Sequence, residues 1–179
     1  MKLYIIPAYE ETVKDQGYPQ IITAAKKKKY KIVVMNLQIK NKSLDDLVNK
    51  ALEIIGGEID SVIFGFSIGA LIAFCISKKI PIRKGLFCSI SPILGRDAVR
   101  DFKINQKYFG IKTAKELKKI DYGITLSREP IFICGDKESK KLVNRTKKIH
   151  AKNGGKLIMV KNNNHELTKN YTDQIIKNL

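Results

Sequence analysis

Short apolar runs alternate along this chain with longer stretches whose apolar residues recur at helical spacing. The runs predict strands at Leu3 to Ile6, Lys31 to Met35, Val62 to Phe64, about Lys84 to Ser89, Ile131 to Cys134 directly after Pro130, and Leu157 to Val160. Helices are predicted between them. The first runs from about Pro19 to Lys28, with proline in its first turn. The second is capped by Ser43, with Asp46 completing a variant capping box, and carries Leu44, Leu47, Val48, Ala51, Leu52 and Ile55 on one face until Gly56-Gly57 ends it. A third spans Ala70 to Ile76 and stops before Pro81. Two more cover Lys140 to Lys152, ended by Gly154-Gly155, and about Thr168 to Lys177.

Strand alternating with helix implies a parallel sheet, because each parallel crossover needs a connection long enough for a helix. Near-continuous apolar runs agree with strands buried on both faces. The expected fold is therefore three-layer α/β/α, with a mostly parallel sheet of about six strands. One segment breaks the rhythm. Residues 91–129 hold Ser91-Pro92, Gly95-Arg96, Tyr108-Phe109-Gly110 and a short helical stretch near Thr113 to Lys119. An insertion that long is usually functional or a small subdomain. With 179 residues and no linker or repeat, the chain reads as one domain, 1–179.

Composition adds less. Hydrophobic residues make up 44%, and no apolar stretch approaches a membrane span, so no membrane association is expected. The opening Met1 to Ala8 has too short an apolar core for a signal peptide and meets Glu10-Glu11 at once, so it reads as the first strand. Cys75, Cys88 and Cys134 form no disulfide-like framework, which fits a reducing cytoplasm. The two histidines lie away from any cysteine pair, against a zinc site. The net charge of +17 comes from 34 basic residues, 29 of them lysine, spread over most surface segments in a chain also rich in Ile and Asn. Nucleic-acid surfaces favour arginine interleaved with aromatics, so solvated surface is the preferred reading and no nucleic acid is expected. A positive field would still assist capture of an acidic substrate.

The candidate chemistry centres on Gly65-Phe66-Ser67-Ile68-Gly69, which closes the third strand and opens a buried helix. A serine at such an apex is displayed above the strand ends on a strained backbone, and side chains two residues before or after it would clash. A serine hydroxyl needs a base, and the base needs a group to orient it. In a parallel sheet these converge from loops at the carboxyl ends of strands. His165, in the polar loop after the sixth strand, is the candidate base. His150 sits at helical spacing with Leu142, Thr146 and Ile149 and reads as structural. The fifth strand ends in Cys134-Gly135-Asp136-Lys137-Glu138, leaving both Asp136 and Glu138 open as the acid, with Glu138 preferred.

Ser67, this acid and His165 stand in the order nucleophile, acid, base, and in this the chain resembles the α/β-hydrolases. Gly65 to Ala70 is similar to their nucleophile motif, with Phe66 where many members carry histidine. Pro130 to Glu138 is similar to their acid strand, which often ends G-x-x-D; that register implies Glu138 as the acid. Asn164-His165 resembles the histidine loop, and the insertion falls where the family carries its cap. The resemblance implies a six-stranded version lacking the first two strands of the family. It also implies an oxyanion hole made by the N–H of Ile68 and that of Tyr9, here in Pro7-Ala8-Tyr9-Glu10 rather than the frequent His-Gly.

The resulting expectation is a cytoplasmic serine hydrolase acting on a small-molecule carboxylic ester or thioester, without metal or organic cofactor. Acyl transfer or peptide hydrolysis by the same residues, and a non-catalytic binding protein on a hydrolase scaffold, are the alternatives. Ile93, Leu94, Phe102, Tyr108 and Phe109 are candidate acyl-pocket walls, or simply residues that pack the insertion down. Oligomeric state is not legible.

Overall fold

Leu3 and Ile5 of the first strand face one side of a sheet while Tyr4 and Ile6 face the other, and both sides are buried. A computed structural model describes residues 1–91, 99, 101–120 and 123–179 of the chain. In order, the described elements are β1 (Lys2–Ile6), α1 (Tyr18–Lys27), β2 (Lys31–Val34), α2 (Leu44–Ile55), β3 (Ser61–Phe66) and α3 (Ile68–Lys79). They continue with β4 (Ile82–Cys88), α4 (Phe102–Leu117), β5 (Ser127–Gly135), α5 (Lys140–Asn153), β6 (Lys156–Val160) and α6 (Lys169–Asn178). The strands form one parallel sheet in the order β2-β1-β3-β4-β5-β6.

The two-residue period of a strand divides the core. Val62, Phe64, Leu86 and Ile133 pack with Tyr18 and Ile21 of α1 and Tyr171 and Ile175 of α6. Ile63, Phe87 and Phe132 pack on the other side with α2, α3 and Ile149 of α5. α3 is buried almost all round, from Ile68 through Phe74, which explains its lack of an amphipathic pattern. The polar ends of the helices are met as the sequence suggests. The Asp46 N–H donates to Ser43 Oγ at 2.9 Å, and Gly56 closes α2 in the left-handed region. Lys28, in the basic run after α1, donates to the carbonyls of Ile176 and Leu179 rather than standing free.

This strand order positions the site. The chain steps outward from β1 to β2, then returns across β1 to add β3, so the connections after β1 and β3 leave on opposite faces. A crevice opens above the carboxyl ends of β1 and β3, where ligands bind in open parallel sheets.

Two expectations need correction. β5 begins at Ser127, so Pro130 lies within the strand rather than before it. Pairing with β6 starts only at Ile131, and Pro130 therefore sits where β5 has a neighbour on one side, a place that tolerates a residue without an N–H. The helical part of the insertion is also longer than Thr113 to Lys119. It spans Phe102–Leu117 with a break at Gly110 (φ 85°, ψ 166°). Its first half, residues 102–109, has little periodicity to read and docks through Phe109, which is buried in the core; its second half docks by polar bonds. Thr113 Oγ1 donates to Lys42 O, and the Glu116 carboxylate accepts the Leu44 N–H. Ile93 and Leu94, together with Pro92 and Gly95-Arg96, lie outside the described residues.

Among the described residues no helix is long and apolar enough to cross a membrane. All three cysteines are free thiols, and Cys88 and Cys134 are fully buried. Burial, reinforced by the nearby Glu138 carboxylate, pushes the Cys134 thiol up to about 12. Alkylation of Cys134 by iodoacetamide in mildly alkaline buffer should accordingly run about a thousandfold slower than that of a free thiol, because the thiolate is the nucleophile. Peptide mapping over time checks this; a rate like that of free cysteine would mean that the β4–β5 core opens readily.

Candidate active site

Ser67 sits between β3 and α3 with φ 56° and ψ −120°, a backbone conformation that non-glycine residues rarely adopt. Backbone bonds hold it there. Its N–H donates to Cys88 O at 2.9 Å, and its carbonyl accepts from Ala70 and Leu71 of α3 and from Ser91. The two flanking glycines serve different contacts. A Cβ on Gly65 would lie 2.3 Å from Gly69 O, the clash within the turn that the sequence suggests. A Cβ on Gly69 would instead lie 2.1 Å from Ile6 O and 2.5 Å from Pro7 O. Gly69 therefore lets the loop after β1 rest against the first turn of α3. Ile68 opens that helix, so its N–H belongs to the group that a helix leaves without an internal acceptor, and no described residue accepts it.

His165 Nε2 lies 2.9 Å from Ser67 Oγ, and His165 Nδ1 lies 2.7 Å from Glu138 Oε2. With a carboxylate at Nδ1, the neutral ring carries its proton there and leaves Nε2 to accept from the serine hydroxyl. Exposure falls along the line: the His165 side chain is 40% exposed and that of Glu138 1%. Phe66 stacks on the imidazole, with centroids 5.1 Å apart and planes 30° apart.

Asp136, the other candidate acid, does different work. Its Oδ1 accepts the Asn163 N–H at 3.3 Å, while the Lys137 N–H donates to Asn163 O. Asn163 is itself buried and its side chain donates to the carbonyls of Asn164 and Glu166. These bonds shape the loop that carries His165. Gly135 admits the close approach, since a Cβ there would meet Asn163 O at 2.2 Å. His150 lies elsewhere, 3.3 Å from Gly155 O with its ring edge-on to Phe132.

Across the crevice, the Ala8 N–H donates to Tyr18 Oη at 3.1 Å, and that hydroxyl donates to Glu11 at 2.7 Å. Burial holds the Tyr18 phenol far above its ordinary pKa, so it stays a neutral donor. The Ala8 amide is therefore committed, while the Tyr9 N–H has no acceptor among the described residues. The Tyr9 ring meets Phe109 of α4 edge-on at 5.5 Å, which fixes the insertion to this loop. Of the candidate pocket walls, Phe109 is buried here, Phe102 lies beneath the Lys118 ammonium, and Tyr108 is half exposed. A groove beside Tyr9 is bordered by Leu37, Gln38 and Ile39.

Sequence reasoning passed over Ser89 and Tyr171, which bond one another and, through Ser89, the Glu138 carboxylate. Ser89 follows directly on a strand's carboxyl end, the same signal that marks Ser67 and His165. Tyr171 carries no signal, being one apolar position of an amphipathic helix. Among the described residues no group of three or more His, Cys, Asp or Glu side chains is placed to hold a metal ion.

No family model and no curated relative matches this sequence. Solved structures do resemble it. A putative hydrolase from Agrobacterium vitis superimposes with a TM-score of 0.79 at 10% identity, covering 99% of this chain and 85% of its own. A monoacylglycerol lipase from Paleococcus ferrophilus gives 0.78 at 10% identity, covering 98% and 92%. Est1E from Butyrivibrio proteoclasticus, with ferulic acid bound, gives 0.74 at 9% identity, covering 99% and 86%. At such identities the likeness is one of fold.

Proposed function

We propose that this chain, which has the α/β-hydrolase fold, is a serine hydrolase that cleaves a carboxylic ester or thioester through an acyl-enzyme. One observation carries the reading: the continuous line from Ser67 Oγ through His165 to Glu138, at 2.9 and 2.7 Å, on a strained turn that displays the hydroxyl. The presence of a monoacylglycerol lipase and a ferulic acid complex among the similar structures supports an ester-like substrate.

In this mechanism Ser67 Oγ bonds to the acyl carbon while His165 Nε2 takes its proton, and Glu138 stabilises the imidazolium so formed. The carbonyl oxygen becomes an oxyanion between the N–H groups of Ile68 and Tyr9. Their availability supports the assignment, since Tyr18 occupies the alternative donor at Ala8. Loss of one such donor typically costs about 3 kcal/mol of transition-state stabilisation. His165 then returns its proton to the departing alcohol or thiol as the bond to the acyl carbon breaks. Finally it takes a proton from water as the hydroxide attacks the acyl carbon, and returns that proton to Ser67 Oγ as the bond from Oγ to the acyl carbon breaks and the acid leaves. The insertion between β4 and β5 acts as a cap within a single domain and sets the acyl group accepted, with Phe109 held against the oxyanion loop.

A fluorophosphonate probe tests the proposal, because it phosphonylates only a serine activated by a base. Labelling is expected on Ser67 and nowhere else, read by peptide mass spectrometry. Protein that remains unlabelled would instead be a binding protein on a hydrolase scaffold.

A further inference from the structure

Glu138 has two oxygens that the fold treats differently. Oε2 faces His165 Nδ1 at 2.7 Å, whereas Oε1 accepts the Ser89 hydroxyl at 2.5 Å and the Gly135 N–H at 2.9 Å. Ser89 Oγ lies 2.7 Å from Tyr171 Oη, and Ile133 O, 2.9 Å from that hydroxyl, is the second acceptor within its reach. Both residues are fully buried. Ser89 also holds a φ of 51°, uncommon outside glycine, while its N–H donates to Ile133 O at 2.7 Å. The fold thus keeps an unfavourable backbone that aims one buried hydroxyl at one carboxylate oxygen.

The geometry points to Ser89 and Tyr171 as positioning residues that hold Glu138 by Oε1, so that Oε2 keeps the His165 ring over Ser67. The inference rests on the serine-hydrolase reading of this site. A glutamate carries one more rotatable bond than an aspartate, so its carboxylate needs more constraint to stay in one place. With its side chain 1% exposed, the donors must come from protein rather than water. Counting hydrogens gives the direction. The Ser89 hydrogen goes to the charged oxygen, the stronger bond, so the contact with Tyr171 is made by the one Tyr171 hydrogen, shared between Ser89 Oγ and Ile133 O. Tyr171 also closes a circuit. Its ring meets Phe66 edge-on at 5.8 Å, and Phe66 stacks on His165. One tyrosine therefore braces the acid through its hydroxyl and the imidazole through its ring.

The test is the rate of fluorophosphonate labelling at Ser67 across pH, for wild type, Ser89→Gly, Tyr171→Phe and the double variant, with Tm measured for each. Glycine suits the backbone at position 89, so relief of strain should offset part of the lost hydrogen bond and Ser89→Gly should stay folded well above the assay temperature. Its labelling at neutral pH should nevertheless slow about 10- to 100-fold, the range for losing a hydrogen bond to a charged group. Without that donor the ionised carboxylate is held less well. The acid limb of the labelling profile should then move to higher pH, because a hydrogen bond donated to the charged form of the carboxylate no longer favours that form. Of the other groups around the carboxylate, burial raises the pKa values of Cys88 (β4), Cys134 (β5) and Tyr171 (α6), so they stay neutral over that limb. Arg145 of α5, beside Cys134, is charged throughout. Tyr171→Phe should lose less, and the double variant should label no more slowly than Ser89→Gly, since both act through one bond. Labelling of Ser89→Gly at the wild-type rate with an unmoved acid limb would overturn the positioning role alone. So would a loss of labelling that only follows a loss of Tm. An unlabelled wild type would remove the hydrolase reading and this inference with it.

Discussion

Glycine in place of Ser67 is expected to abolish turnover and, at the same time, to make the fold more stable. The two effects share one cause. At φ 56° and ψ −120° the serine occupies a backbone region that costs a non-glycine residue about 1–3 kcal/mol, held by the Cys88 carbonyl and the start of α3. Glycine adopts it freely but brings an entropic penalty of about 0.5–1 kcal/mol. The net gain should be about 0–2.5 kcal/mol, or a rise in Tm of up to about 10 °C for a chain of this size. Removal of the nucleophile should cost on the order of 10⁴- to 10⁶-fold in kcat on a short-chain ester. Thermal melts and an ester assay on the same preparation check both halves. A lower Tm would refute the strain argument, and surviving turnover would remove Ser67 from the mechanism.

Glu138→Gln should reduce turnover by about 10³- to 10⁴-fold, the scale seen when a triad acid is made neutral and the imidazole settles in the wrong tautomer. The amide keeps the shape of the side chain but not the charge that favours the proton on Nδ1. Asp136→Asn should change turnover by less than about tenfold, since a carboxamide oxygen can still accept the Asn163 N–H that Asp136 takes now. Steady-state kinetics on both variants decide the matter. A larger loss in Asp136→Asn would exchange the roles of the two acids.

Much of this architecture is legible without coordinates because it rests on local rules. The alternation of Leu3 and Ile5 against Tyr4 and Ile6, the Ser43 cap and the Gly56 stop are each written within a few residues. Legibility failed where local signals were weak or overridden. Pro130 reads as a boundary, yet a one-sided stretch of β5 accommodates it. The first half of α4 has almost no apolar period and is placed by Phe109 on Tyr9, while the second half is placed by polar bonds to residues near the start of α2. Gly69 reads as part of a tight turn, whereas its nearest obstacle belongs to the end of β1.

The same division runs through the candidate site. The sequence by itself determined that a serine stands on a glycine-flanked turn after a buried strand, and that a histidine and two acids follow later strands. Periodicity and turn chemistry are short-range, so a single strand–turn–helix unit records them. Only the tertiary structure decided that Glu138 rather than Asp136 meets His165, that Tyr18 claims the Ala8 amide, and that Ser89 and Tyr171 stand behind the acid. Those contacts join residues as much as 82 positions apart, as between Ser89 and Tyr171. Their geometry depends on strand order and register, which no window along the chain contains.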